Sequence, residues 1–104
     1  MTYERLVELV SRCLKVLEEC DKIWIALGTR NPNKCRDLQA QSRRECVAVY
    51  SNVYETYCRG RMHFGQVRSI VGHILSTYRD VHVAADKIIE YIRRQCGATS
   101  IAEL

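Results

Sequence analysis

A chain of 104 residues with 47% hydrophobic and 27% charged side chains is one domain by size and too apolar to be disordered. Its formal charge of +4 permits contact with RNA or an acidic partner without demanding it. No run approaches the roughly 18–20 apolar residues of a membrane span, and MTYERLVELV has the layout of neither a secretory signal nor a transit peptide.

The first helix is predicted over about residues 2–27. Thr2 can cap it, and Glu4 suits its first turn. Leu6, Val10, Cys13, Leu17, Cys20, Trp24 and Leu27 alternate in steps of four and three, a heptad seam. Leu9, Leu14, Val16 and Ile23 widen the seam into the broad apolar face of a bundle helix. Gly28 stands just past the end, and either Asn31 or Asn33 is placed to cap the next helix.

The second helix is predicted over about 34–59, with Gly60 as its stop. Residues 34–45 are polar and offer only Cys35, Leu38 and Ala40 to a core, so a covalent tie there makes physical sense. Residues 46–58 are apolar and aromatic. Tyr50, Tyr54 and Tyr57 are candidates for partial exposure to a partner, because tyrosine is enriched at interfaces. The third helix is predicted over about 64–96, on the seam Val67, Val71, Ile74, Tyr78, Val81, Ala85, Ile88 and Ile92. Gly72 marks either a close helix approach or a tolerated glycine. In the tail, Ile101 and Leu104 are candidates for docking on a partner. The expected fold is therefore all-α: three long helices in an up-down-up bundle, the first two forming a cysteine-rich antiparallel hairpin, within one domain over 1–104.

Six cysteines are open to three states: buried thiols, disulfides, or ligands of a zinc ion. Helices crossing near residues 28–33 bring Cys13 towards Cys46 and Cys20 towards Cys35, which makes those four the disulfide candidates. The fit carries a stagger. Cys13 and Cys20 are seven residues apart and Cys35 and Cys46 eleven, a mismatch of about 6 Å of helix rise. Unwinding around Cys35 or sharing the stagger between both bridges absorbs it. Reduction is then expected to release residues 34–45 first. A straight third helix carries Cys96 tens of ångströms from Cys58, so those two are expected to stay unpaired, with two free thiols on counting. A zinc site lacks any Cys-x2-Cys pair; Cys58 and His63 are close in sequence but need two further ligands.

Cys13, Cys20, Cys35 and Cys46, with Leu17-Glu18-Glu19-Cys20 as the end of a first motif, resemble the coiled-coil-helix-coiled-coil-helix family of the mitochondrial intermembrane space. That family pairs two helices through two disulfides, usually as twin Cys-x9-Cys motifs. Here x6 and x10 stand in place of the two x9 spacings, and a third helical segment with Cys58 and Cys96 is added. The resemblance covers about a third of the chain. It implies oxidative folding and a structural or assembly role on the intermembrane-space side of the inner membrane; cytosol or matrix is the alternative location.

No catalytic constellation is visible. His63, His73 and His82 do not cluster with carboxylates or serines, and no glycine-rich phosphate loop occurs. Neither an enzymatic activity nor a cofactor is expected. The basic residues fall into two groups, Arg30, Lys34, Arg36, Arg43 and Arg44, and Arg59, Arg61 and Arg68, read first as solvated faces. Arg43, Arg44, Tyr50, Tyr54, Arg59 and Arg61 form the candidate interaction surface. The functional expectation is a non-enzymatic accessory subunit of a large mitochondrial inner-membrane assembly, a respiratory complex or ATP synthase, whose partners are its other protein subunits. The alternative is a basic helical RNA-binding subunit of a ribonucleoprotein such as a mitochondrial ribosome.

Overall fold

The structure, a computed structural model, describes residues 1–97; Ile101 and Leu104 lie outside the described residues. The first helix, α1 (Tyr3–Leu27), starts where the sequence supplies a cap: the Thr2 hydroxyl accepts a hydrogen bond from the Arg5 N–H at 3.2 Å. It ends at Gly28, whose φ of 71° turns its N–H back to the Ile25 carbonyl. Leu6, Leu9, Val10, Cys13 and Leu14 are buried along one face. Beyond Cys20 that face opens. Trp24 is half-buried, while Ile25 and Leu27 are exposed.

A 3-10 turn, Pro32–Lys34, leads into α2 (Arg36–Val53). Neither asparagine caps α2, contrary to the sequence expectation. Asn31 instead closes the 3-10 turn: its Oδ1 accepts from the Asn33 N–H at 3.0 Å, and its carbonyl accepts from the Lys34 N–H. Cys35 occupies the N-cap position without any side-chain capping bond. The start of α2 is thus fixed by a disulfide rather than by a cap.

The last turn of the second helical segment, Tyr54–Cys58, is π-helical, with the Arg59 N–H bonded to the Tyr54 carbonyl at 2.8 Å. The extra residue has a consequence for Cys58. In an unbroken α-helix Cys58 sits twelve residues from Cys46, about a third of a turn off its face. One inserted residue puts it where position 57 would otherwise stand, almost three whole turns from Cys46 and on the same face. Tyr57 and Cys58 are both buried there.

The third predicted helix is two helices, α3 (Phe64–Thr77) and α4 (Val81–Gln95), so the described residues form four α-helices and not three. Among the described residues there is no strand. The break has local causes. The Ser76 hydroxyl donates to the His73 carbonyl at 3.0 Å, Tyr78 is extended, and Asp80 caps α4 by accepting from the Val83 N–H at 3.0 Å. A straight helix over 64–96 would carry Cys96 about 48 Å from Phe64. Instead Cys96 lies 5.0 Å, Cα to Cα, from Cys58. The expectation that these two stay apart is overturned, and the straightness assumed for the third helix is the reason.

The core gathers one side of each helix: Leu6 and Val10 of α1, Val49 and Val53 of α2, Val67, Val71 and Leu75 of α3, and Ala84, Ile88 and Ile92 of α4. Two polar ties add to it. The Tyr57 hydroxyl donates to the Met1 carbonyl at 3.0 Å, and the Tyr3 hydroxyl donates to Asp86 at 3.1 Å. Desolvation, with the Asp86 carboxylate adding to it, pushes the Tyr3 pKa up. Gly72 marks no close approach, since a Cβ there would meet nothing within 4 Å. At about 1.5 Å per residue α1 is some 37 Å long, whereas α3 and α4 are each only a little over 20 Å. The molecule's long dimension is 46 Å. The second pair of helices therefore covers one part of the α1–α2 hairpin and leaves the rest uncovered.

Candidate interaction surface

All six cysteines are paired, Cys13 with Cys46, Cys20 with Cys35 and Cys58 with Cys96, at Cα–Cα distances of 4.7, 5.8 and 5.0 Å. No thiol remains as a zinc ligand or a nucleophile, and the expected two free cysteines are absent. The stagger between the hairpin cysteines is resolved at Cys35. That residue lies before the first turn of α2, with φ −133° and ψ 19°, so its Cα is not bound to helical rise. Among the described residues no group of three or more His, Cys, Asp or Glu is arranged to hold a metal ion.

The three bridges differ in their surroundings. Cys13, Cys46, Cys58 and Cys96 belong to the main core. Cys20 and Cys35 are buried but stand outside it, at the uncovered end of the hairpin. The three histidines are exposed and apart: His63 precedes α3, His73 faces Thr77, and the His82 ring stacks on Tyr3.

The sequence-predicted surface residues do not form one patch. Tyr50 and Tyr54 are half-buried against the core, and Tyr54 meets the Phe64 ring edge-on at a centroid distance of 5.4 Å. Tyr54 and Arg61 share a shallow cleft of about 300 Å³ with Met62, His63 and Gln66. Arg59 is exposed and paired with Glu55 at 3.1 Å. Arg43 and Arg44 are exposed in the polar half of α2, ten or more residues and so about 15 Å from Tyr54. Neither makes an ion pair with a described residue.

A more concentrated surface lies at the hairpin turn, where the α1 seam ends. Ile25 is 79% exposed and Leu27 48%, the two highest values among the large hydrophobics of the described residues. Trp24 is fixed beside them. Its indole N–H donates to the Asn31 carbonyl at 3.1 Å, and the Arg30 guanidinium lies 5.4 Å above its ring. Asp21, Trp24, Ile25, Thr29, Arg30 and Arg79 line an open cleft of about 500 Å³. Arg79, from the α3–α4 turn, reaches Asp21 at 3.4 Å and closes one side. The signal that points here is the seam's last repeat: it continues past the length that α3 and α4 can cover.

No described helix is long and apolar enough to cross a membrane. No family model, curated protein or solved structure matches the chain.

Proposed function

We propose that this chain is a non-enzymatic accessory subunit that folds in an oxidising compartment and works by docking on larger partners. The observation that carries the reading is the pairing of all six cysteines. Disulfides persist in oxidising compartments and are rare where glutathione keeps thiols reduced. The resemblance of Cys13, Cys20, Cys35 and Cys46 to the coiled-coil-helix-coiled-coil-helix pattern makes the intermembrane-space side of the mitochondrial inner membrane the location proposed. A respiratory complex or ATP synthase is the proposed assembly.

The test is native isolation of the tagged protein from mitochondria, followed by mass spectrometry and by thiol counting under denaturing, non-reducing conditions. The reading expects co-migration with an inner-membrane complex and no free thiol. Six free thiols place the chain in a reducing compartment and end the proposal. A second reading, an RNA-binding subunit, is favoured by the exposed Arg43 and Arg44, which make no ion pair with a described residue. It predicts salt-sensitive retention on RNA that Arg43→Ala/Arg44→Ala abolishes.

A further inference from the structure

The hairpin turn is richer in basic than in acidic side chains. Residues 22–36 contain Lys22, Arg30, Lys34 and Arg36 and no acidic residue. Residues 22–36 thus carry four positive charges, bounded by Asp21 on one side and Asp37 on the other, a net +2 over residues 21–37. Lys22 shares its charge with Glu18 at 3.7 Å, while Arg30, Lys34 and Arg36 have no carboxylate partner among the described residues. The same turn carries Ile25 and Leu27, the most exposed large hydrophobics among the described residues, and the half-buried Trp24.

We infer that the hairpin turn is a peripheral docking tip for an anionic lipid bilayer. Ile25 and Leu27 enter the boundary between headgroups and acyl chains, Trp24 sits at headgroup level, and Arg30, Lys34 and Arg36 meet lipid phosphates and carboxylates. The choice of a bilayer over an acidic protein rests on size. A stable protein interface engages about 20–30 residues a side, whereas this tip offers three apolar side chains and a few cations at the end of a hairpin. Interfacial binding needs no complementary cavity and sums a small apolar contact with about a fivefold gain per basic side chain near an anionic surface. The Cys20–Cys35 bridge lies directly behind the tip and holds its two arms together. The inference goes beyond the subunit reading and does not depend on it.

Trp24, the only tryptophan in the chain, is a built-in reporter. The oxidised protein is mixed with vesicles of phosphatidylcholine containing about one third phosphatidylserine, or of phosphatidylcholine alone; sedimentation and Trp24 emission are read at low and high salt. Co-sedimentation with the anionic vesicles, a blue shift of Trp24 and weakening by salt are expected. Ile25→Asp/Leu27→Asp should lower the partition coefficient at least about tenfold. Arg30→Ala/Lys34→Ala/Arg36→Ala should lower it roughly a hundredfold. Both changes lie in exposed positions, so far-UV circular dichroism should be unaltered. Ile70→Asp, at an exposed apolar site on α3, should bind as the wild type does. Three outcomes overturn the inference: no partitioning of the wild type, equal loss in Ile70→Asp and the tip variants, or retention on immobilised polyglutamate with none on vesicles.

Discussion

The two ends of the α1–α2 hairpin are held by different physics. At the end near Met1, four helices meet and Leu6, Val53, Val67, Ile88 and Ile92 lose nearly all contact with water, with the Cys13–Cys46 and Cys58–Cys96 bridges inside the same core. At the turn end two helices run side by side, with Arg79 of the α3–α4 turn reaching Asp21 beside them. Val16, Cys20 and Cys35 are buried there without joining the main core, and α2 begins on a disulfide in place of a cap. Burial scales with the number of helices that can contribute a face, and α3 and α4 are too short to cover the whole hairpin. One end therefore has stability to spare for its shape, and the other keeps its shape because a covalent bond removes the alternatives.

The largest effects should come from the core end. Ile88→Ala deletes a fully buried side chain from α4, and a loss of about 3–5 kcal/mol of global stability is expected in chemical denaturation. Replacing both Cys58 and Cys96 by alanine opens a bridge between residues 38 apart in sequence. The expected loss is roughly 3–4 kcal/mol, with α4 losing its hydrogen-exchange protection. A melting temperature within a degree of the wild type in either variant would break the division drawn between the two ends.

This fourth helix was only partly legible in the sequence. The apolar spacing Ile74, Tyr78, Val81, Ala85 runs straight through the break, so periodicity alone reads one helix. The contrary signal was present in Ser76, Thr77 and Asp80, residues that compete for backbone bonds or cap a helix, but it is weak against eight seam positions in register. The π turn at Tyr54–Cys58 left no such trace. The hairpin itself was readable, because a capped start at Thr2, a glycine stop at Gly28 and paired cysteines agree with one another. The tip is not legible in the sequence because Trp24 and Leu27 fit the seam, and only the length of the covering helices shows that the seam outruns its partners.

Smaller effects sharpen the comparison. The Tyr91 hydroxyl is buried without a hydrogen-bond partner among the described residues, and burial raises its pKa. Tyr91→Phe should be neutral or stabilising by up to about 1 kcal/mol. A raised folded-state pKa favours the protonated phenol, so its titration adds no cost below the unfolded value of about 10 and destabilises the fold as the pH rises through that value. The variant should accordingly resist alkaline unfolding better than the wild type in melts above about pH 10. Smallest of all is Arg79→Ala, which removes the ion pair from the α3–α4 turn to Asp21 on the outer hairpin. Both partners are more than a third exposed, and a change below about 1 kcal/mol is expected in the same denaturation assay.

The most direct test of the account is amide hydrogen exchange, residue by residue, on Cys20→Ala/Cys35→Ala beside the wild type. If the outer hairpin is held by its bridge, the cost of losing that bridge is capped by the free energy of opening that end alone. Protection should fall between Val16 and Leu27 and between Lys34 and Glu45, while amides from Val67 to Leu75 and from Ala84 to Ile92 keep their wild-type rates. Loss of protection spreading equally through α3 and α4 would contradict the account, because the molecule would then be one cooperative unit with no end held by its disulfide alone.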